Sequence, residues 1–338
     1  MSSWYLETTN EDTVISTRIR IARNISGIPF IHNISNDDAN KIINIVKNAI
    51  QNTNYGLKIM LLKDMDDITK LSLVEKHIIS PEFALNKNEI GAIAINDEEN
   101  ICIMINEEDH LRIQVFSAGL SLANALSLAI EIEEKLGKSI NYAYNEKYGF
   151  LTSCPSNVGT GLRVSTMMHL PALTKTRNIQ KVLNVVNGFG MNIRGIYGEG
   201  TNSKGNIYQI SNKQTLGITE EETINNLKAI IDKVIEQEKL ARKILTRETM
   251  KIEDEVYRAY GLLTNCRIIS SDECMILLSE IRLGVNLGII KEINEAKLNK
   301  LEIYTKPANL QKQLGQVFTG YERDIRRAEI IKNIVNAE

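Results

Sequence analysis

The sequence predicts an α+β fold, in which a sheet with packed helices is followed by an all-helical module. Two strand signals carry the first part: the alternating run VISTRIRI at 14–21, and two apolar runs around an acidic, Asn-flanked turn at 90–105. Beyond about residue 250 a helical period dominates, as in YERDIRRAEIIKNIVN. We therefore expect an α+β domain over 1–245 and a helical domain over 246–338, with a soft boundary between 240 and 255.

The other elements follow from the same two periods. Ser35 or Asn36 opens an amphipathic helix that runs to residue 50. Thr219 and Glu222 have the spacing of a capping box, so a helix is expected from about 220 into the 240s. Further strands are predicted at 111–116, near 181–197 and at 206–210, and a long helix at 117–136.

Composition limits the classes of function. The 338 residues are 43% hydrophobic and 24% charged, and the formal net charge is -2. This balance gives no general positive field, so neither nucleic acid nor a membrane is an expected partner. No apolar run reaches the about 18 residues of a membrane-spanning helix, and no signal peptide opens the sequence. The cysteines form no CxxC pair and the histidines are scattered, so we expect no structural metal site and a reducing, cytoplasmic location.

Two charged segments could carry chemistry. In the strand VISTRIRI, Arg18 and Arg20 point to the same side. In INEEDHLR, at 105–112, an extended backbone would place Glu108, His110 and Arg112 on one face and Glu107 and Asp109 on the other. A carboxylate and an arginine would then stand side by side over one site. The alternative is a solvated acidic turn with a surface salt bridge.

The loop LTSCPSNVGTGLR, at 151–163, has the composition of a ligand loop. Its SNVGTG part could form a nest of backbone N–H groups around an anion, with Arg163 beside it. Gly159 and Gly161 would let the backbone approach the ligand. Cys154 could be a small buried apolar residue, a nucleophile or a thiolate that acts through its charge. A plain irregular loop remains the alternative, and neither a Walker A motif nor a protein-kinase signature occurs.

A glycine-rich stretch, NIRGIYGEGTNSKGNIYQISN at 192–212, carries Arg194 and Glu199. A long glycine-rich insert between strands is typical of a lid over an active site.

Together these motifs resemble one family. CPSNVGT, NEEDHLR and STRIR are similar to segments of the phosphagen (guanidino) kinases, over about residues 14 to 240. Within that family the chain most resembles the bacterial protein arginine kinases of the McsB type, on TSCPSNVGTGLR, RGIYGEG, NIYQISNKQTLG and RDIRRA. The resemblance implies a twisted, mostly antiparallel sheet flanked by helices. It also implies an enzyme that phosphorylates arginine residues of proteins with ATP and Mg²⁺, the metal being held through ATP.

The resemblance also implies the roles of individual residues. Glu108 and Glu199 hold the substrate guanidinium, Glu108 withdraws its proton, and Cys154 lies beside it. The ATP phosphates are bound by Arg18, Arg20, Arg112, Arg163 and Arg194, and the nucleotide loop contains Ser156, Asn157, Gly159 and Thr160.

The differences from small-molecule guanidino kinases concern the substrate. Those enzymes carry a helical domain before the arginine strand, whereas only about 15 residues precede it here. We therefore expect a site open to an arginine on a protein. Tyr197 and Asn202 replace a phosphate-binding arginine and a substrate glutamate, so Arg194 and Glu199 are expected to take over those duties. A small-molecule arginine kinase and a non-catalytic phosphoarginine-binding adaptor remain alternatives.

The C-terminal segment RDIRRA resembles the phosphoarginine receptor of protein arginine kinases. The resemblance implies an allosteric site formed by Arg323, Asp324, Arg327 and Ala328. A solvated helical face is the alternative. By the same resemblance we expect a homodimer, an activator of the McsA type, a repressor of the CtsR type and a Clp ATPase of the ClpC type as partners. The expected roles are marking proteins for degradation and regulating the stress response.

Overall fold

A computed structural model of the chain describes residues 3–9, 11–85, 90–195 and 203–337. In these ranges the strands are β1 (Val14–Arg23), β2 (Lys58–Leu61), β3 (Ala92–Ile95), β4 (Ile101–Ile105), β5 (Leu111–Ala118), β6 (Tyr144–Asn145), β7 (Gly149–Phe150), β8 (Leu162–His169), β9 (Met191–Gly195) and β10 (Ile207–Asn212). The helices are α1 (Asn36–Ile50), α2 (Asp67–Glu75), α3 (Pro81–Leu85), α4 (Leu122–Gly137), α5 (Pro171–Lys175), α6 (Ile179–Gly188), α7 (Glu220–Leu245), α8 (Thr249–Asn265), α9 (Ser271–Asn286), α10 (Glu295–Tyr304), α11 (Pro307–Leu314) and α12 (Gly320–Asn336). The predicted α+β class is confirmed.

The main sheet has the strand order β2-β3-β4-β5-β1-β8-β10-β9, and β6 pairs with β7 in a separate hairpin. Antiparallel pairing joins β1 to β5, β2 to β3, β3 to β4 and β4 to β5. The β1–β5 register runs from Ser16 opposite Ala118 to Arg23 opposite Leu111. Because side chains that face each other across a strand pair share one side of the sheet, this register places the even-numbered residues of β1 and β5 together.

The chain forms two compact units. The first consists of Met1–Tyr5, Ser16–Thr166 and Ser211–Ala229, and the second of Leu6–Ile15, Met167–Ile210 and Ile230–Glu338. In the first unit Trp4 stacks on Phe116 with 5.3 Å between ring centroids, over a core that includes Leu62, Phe83 and Met104. In the second unit helices α8, α9, α10 and α12 contribute to a separate apolar core.

Local sequence signals account for several helix ends. The Ser35 side chain accepts a hydrogen bond from the backbone N–H of Asp38, which begins α1 as predicted. Thr219 and Glu222 bond each other's backbone N–H groups at 3.1 and 2.9 Å, so the predicted capping box begins α7. The helix expected from residue 117 begins only at Leu122, because β5 continues to Ala118.

One predicted strand is right only in its second part. The apolar run near 181–197 contains helix α6 before the strand β9. Leu183 and Val186, three residues apart, are buried, whereas Val185 is 58% exposed. This burial pattern has a helical period. The prediction failed because the valines in the run are β-branched and favour strands.

Candidate functional site

Arginines from three neighbouring strands of the first unit form one charged cluster. Arg18 and Arg20 are half-buried on the even-numbered face of β1, and Arg112 of β5 lies opposite Ala22 on that same face. Arg163 lies on β8, the neighbour of β1 on its other side. We call these four residues the arginine cluster, and their role in binding phosphates stays a prediction.

The electrostatics of the arginine cluster are unfavourable without an anion. Burial, followed by repulsion from Arg112, Arg18 and Arg163, lowers the pKa of Arg20 well below its ordinary value, while Glu108 acts in the opposite direction. The Nε atoms of Arg20 and Arg112 are buried, and neither has a hydrogen-bond partner among the described residues. Buried donors without acceptors are costly, so the cluster fits a ligand with several anionic oxygens. The phosphates of ATP have this chemistry.

The acidic segment between β4 and β5 is a tight turn, which corrects the expected extended arrangement. Asn106 has a positive φ of 59°, and its N–H bonds the His110 carbonyl at 3.0 Å. The turn lets both glutamates reach the same arginine: Arg112 donates to Glu107, and its Nη1 lies 3.7 Å from Oε2 of Glu108. The two glutamates therefore do not face opposite sides, because the closed turn abolishes the alternation of a strand.

The two glutamates differ in exposure, and so in availability to a substrate. The Glu107 side chain is 11% exposed and also accepts hydrogen bonds from the Ser80 hydroxyl and the backbone N–H of Glu108, both at 2.8 Å. Burial acts to raise the pKa of Glu107, but Arg112 and these hydrogen bonds bring the net pKa below its ordinary value. The Glu108 side chain is 35% exposed beside the same arginine. Glu108 is therefore the carboxylate that a substrate can reach, and Glu107 holds Arg112.

The backbone of the 151–163 loop does not form the predicted anion nest. The N–H groups of residues 157 to 160 bond protein carbonyls at 3.0 to 3.3 Å, and those acceptors belong to Cys154, Pro155, Phe150 and Thr215. Nor do its glycines face a ligand: a Cβ at Gly159 would lie 2.3 Å from the Thr215 carbonyl oxygen, and one at Gly161 would lie 2.6 Å from that of Ala22. The glycines serve close packing within the protein, and the charge on this loop comes from Arg163.

The side chains of the loop are ordered by neighbours that the sequence motif did not indicate. The Thr215 hydroxyl donates to the carbonyls of Ser156 and Val158 at 2.9 and 2.8 Å, and these contacts fix the conformation of the loop. Cys154 is half-buried, with its Sγ 3.0 Å from the Ser156 hydroxyl. Asn157 is buried, and the Thr160 hydroxyl accepts from the Leu162 N–H at 3.2 Å. The predicted nucleotide roles of these loop residues stay predictions.

Arg23 is a further residue that sequence reasoning missed. It continues the β1 arginine series but is 3% exposed. Its guanidinium lies 3.4 Å from the centroid of the Phe150 ring and donates to Glu133 and to the Thr160 carbonyl, both at 2.9 Å. Arg23 thus ties the 151–163 loop to the strand that carries Arg18 and Arg20. The sequence did contain a signal for this difference. Arg23 lies three residues after Arg20, so in a strand its side chain points to the opposite face of the sheet.

Of the two predicted residues of the glycine-rich stretch, the structure describes only Arg194. Arg194, at the surface of β9 in the second unit, has its Nη2 3.5 Å from Oε1 of Gln209. Glu199 lies outside the described residues, as do Tyr197 and Asn202.

The predicted receptor residues lie on α12 of the second unit. Arg327 is 1% exposed and donates to the carbonyls of Thr305 and Ile269 at 2.7 Å and to Asp324 at 2.5 Å. Arg327, one of the four expected receptor residues, therefore donates to groups of the protein itself. The Asp324 side chain is 31% exposed, Arg323 is half-buried and Ala328 is buried.

The described residues contain neither a cluster of metal ligands nor a membrane-spanning helix. No group of three or more His, Cys, Asp or Glu residues in these ranges could hold a metal ion. No helix in the described part of the chain is long and apolar enough to cross a membrane.

Two family models match the chain in succession. The model for the ATP:guanido phosphotransferase C-terminal catalytic domain matches residues 40–241, and that for the protein-arginine kinase McsB C-terminal domain matches residues 249–338. A protein-arginine kinase of Clostridium tetani is 43% identical over 98% of this chain and 98% of its own length. One from Geobacillus stearothermophilus is 44% identical over 100% of this chain and 94% of its own length.

Solved guanidino kinases share the fold. The substrate-free duplicated taurocyamine kinase from Schistosoma mansoni has a TM-score of 0.59 and 27% identity, covering 70% of this chain and 36% of that chain. A crystal structure of lombricine kinase has a TM-score of 0.60 and 25% identity, covering 69% of this chain and 68% of that chain. The predicted guanidino-kinase fold is confirmed. With its full-length relatives and its two matching family models, the chain belongs to the ATP:guanido phosphotransferases and, among these, to the protein-arginine kinases.

Proposed function

We propose that the protein transfers the γ-phosphoryl group of ATP to arginine side chains of other proteins, and that this mark directs the proteins to degradation under stress. The observation that carries the proposal is the arginine cluster. The Nε atoms of Arg20 and Arg112 are buried without a hydrogen-bond partner in the described part of the chain, and Arg112 lies beside the accessible Glu108. Full-length similarity to protein-arginine kinases favours a protein substrate over the small guanidino compounds named for the two structural neighbours.

The chemistry requires a base, which we assign to Glu108. An arginine side chain has a pKa above about 12 and is almost wholly protonated at neutral pH. The guanidinium must lose a proton as its N–P bond to the transferred phosphoryl group forms, while the bond to the ADP oxygen breaks. Glu108 takes that proton, and the predicted partner Glu199 holds the other side of the guanidinium. Cys154 lies beside the guanidinium, orients it and forms no covalent bond.

We assign the binding of ATP, the second substrate, to the arginine cluster. Arg18, Arg20, Arg112 and Arg163 hold the phosphates, and their charge stabilises the transferring group. Arg194 is proposed to bind the phosphates as well, as the resemblance implies. Mg²⁺, held through the phosphates of ATP, would add further charge neutralisation.

For regulation we propose that free or protein-bound phosphoarginine binds at α12. Asp324 accepts from the guanidinium of the ligand, and Arg323 donates to its phosphate. Arg327 supports the site from inside, because its donors reach Asp324 and two backbone carbonyls. By family resemblance we also propose a cytoplasmic homodimer with an activator of the McsA type, a repressor of the CtsR type and a Clp ATPase of the ClpC type as partners.

The test is phosphoryl transfer by matched variants. The parent is incubated with ATP, Mg²⁺ and either an arginine-rich protein or free arginine, and phosphoarginine is measured by mass spectrometry. We expect transfer to protein and little to free arginine. Glu108→Gln should lower the rate by about 10²-fold or more while ATP still binds. Glu131→Gln, on the exposed surface of α4, is the control and should keep the parental rate.

Three results would contradict the proposal. A near-parental rate for Glu108→Gln would remove the assignment of the base. Equal rates on free arginine and on protein would favour a small-molecule kinase, and binding of phosphoarginine without any transfer would favour an adaptor.

A further inference from the structure

One buried carboxylate joins the acidic turn to the 151–163 loop. Asp109 is 0% exposed, and its Oδ1 accepts two hydrogen bonds. One comes from the backbone N–H of Ser153 and the other from Nδ2 of Asn24, both at 2.7 Å. The first bond spans 44 residues of sequence and reaches the residue that precedes Cys154. Asp109 itself directly follows Glu108.

Asn24, at the end of β1, completes this junction. Its Nδ2 also donates to the Leu151 carbonyl at 3.1 Å, and its Oδ1 accepts from the His110 N–H at 2.9 Å. Asn24 is 1% exposed, so water does not compete for these bonds. The loop is therefore held at Ser153 by Asp109 and at Leu151 by Asn24. Asn24 also holds the turn, through its bonds to Asp109 and to the His110 N–H.

The junction is energetically expensive, which indicates a role other than stability. Oδ2 of Asp109 is buried and has no hydrogen-bond partner among the described residues, and the same is true of the Ser153 hydroxyl. A buried carboxylate with an unsatisfied oxygen costs more than a neutral side chain of the same shape. What the carboxylate provides is an acceptor for two donors from two separate segments.

We propose that Asp109 is a positioning residue that sets the placement of Glu108 relative to Cys154. It acts through the backbone: its bond to Ser153 fixes the loop one residue before the cysteine, and its own position fixes the turn one residue after the glutamate. Alignment of reacting groups is worth large rate factors, so a small shift of either segment lowers phosphoryl transfer. This inference rests on the proposed function for the role of Glu108.

The test compares four variants with the full-length parent. Asp109→Ala removes the acceptor, Asp109→Asn keeps one oxygen in its place, and Asn24→Ala removes the second connection. Asp66→Ala is the control, because it removes an exposed helix cap of α2 in the same unit and touches neither the turn nor the loop. Two quantities are measured: kcat and KM for ATP with a protein substrate, and the alkylation rate of Cys154 by iodoacetamide, read by peptide mass spectrometry.

We expect Asp109→Ala to lower kcat by about tenfold or more with KM for ATP within about twofold, and to change Cys154 alkylation by about threefold or more. Asp109→Asn should keep both quantities within about threefold of the parent, because its carbonyl oxygen can accept both bonds. Asn24→Ala should shift the alkylation rate in the same direction as Asp109→Ala. The control should lose thermal stability and keep both quantities.

The inference is overturned if folded Asp109→Ala keeps the parental kcat and alkylation rate, or if Asp109→Asn loses as much as Asp109→Ala. If Asp109→Ala does not fold, Asn24→Ala decides, and an unchanged alkylation rate there overturns the inference. Cys154 alkylation needs no kinase activity. A parent that fails to phosphorylate proteins would therefore refute the proposed function, while the alkylation comparison would still decide the role of Asp109.

Discussion

Replacing Arg23 should destabilise the first unit and disorder the 151–163 loop. The Arg23 side chain is 4% exposed and that of its partner Glu133 is 14% exposed, with 2.9 Å between Nε and Oε1. The guanidinium also covers the Phe150 ring and donates to the Thr160 carbonyl. Arg23→Met keeps an apolar stem of similar length and removes the charge and all the donors.

The expected loss follows from these contacts. Removing one partner of a buried ion pair costs about 3–5 kcal/mol, since the other charge is left without compensation. A domain of this size loses about 2–4 °C of melting temperature per kcal/mol, so we expect a decrease of roughly 10 °C. Lys58→Met is the control: its pair with Asp97 is 65% and 75% exposed at the two side chains and should contribute less than about 1 kcal/mol.

A second variant separates stability from activity. Arg23→Met with Glu133→Gln has no unpaired charge and should recover most of the lost melting temperature, measured by calorimetry. The bond to the Thr160 carbonyl stays broken in the double variant, so phosphoryl transfer should remain well below that of the parent. Equal melting temperatures of Arg23→Met and Lys58→Met would refute the estimate. A double variant with parental activity would refute the role of Arg23 in holding the loop.

Three further predictions concern other parts of the chain. Cys154→Ser should lower phosphoryl transfer moderately without abolishing it, and a phosphocysteine trapped in the parent and seen by mass spectrometry would contradict the non-covalent role. Burial, then repulsion from Arg282 and Arg242, holds the pKa of His169 well below its ordinary 6.5. Because the unfolded chain then binds the extra proton, stability should fall by about 1.4 kcal/mol per pH unit as the pH drops below 6.5 towards the folded pKa. The pKa of His110 is lowered as well, so urea unfolding at two pH values should show a slope in both proteins that is smaller in His169→Gln than in the parent. Asp324→Ala should keep basal transfer and lose its stimulation by added phosphoarginine. Stimulation equal to that of the parent would show that α12 does not bind phosphoarginine.

Local patterns in the sequence were sufficient for much of the fold. The alternation around Arg18 and Arg20 predicted β1, and the capping signals at Ser35 and Thr219 predicted the starts of α1 and α7. These features depend on residues within one or two turns of chain, which is why they can be read without the rest of the molecule. The run at 179–188 misled for the same reason: its residue types favour a strand, and only packing shows the helical period.

The family motifs named the charged residues of the candidate site but not how they are arranged. Nothing in INEEDHLR shows that the turn closes between Asn106 and His110, so the pairing of Arg112 with Glu107 could not be predicted. Nor did CPSNVGT show that its backbone N–H groups bond Phe150 and Thr215.

By itself, then, the sequence determined the fold class, the arginine strand, the helix caps and, through its motifs, the family. Only the tertiary structure decided which groups are free to act. It buried Glu107 and left Glu108 accessible, it committed the loop N–H groups to protein carbonyls, and it joined Asp109 to Ser153 across 44 residues. The physical reason is that burial and hydrogen-bond satisfaction depend on partners far away in the chain, and no local pattern of residue types encodes those partners.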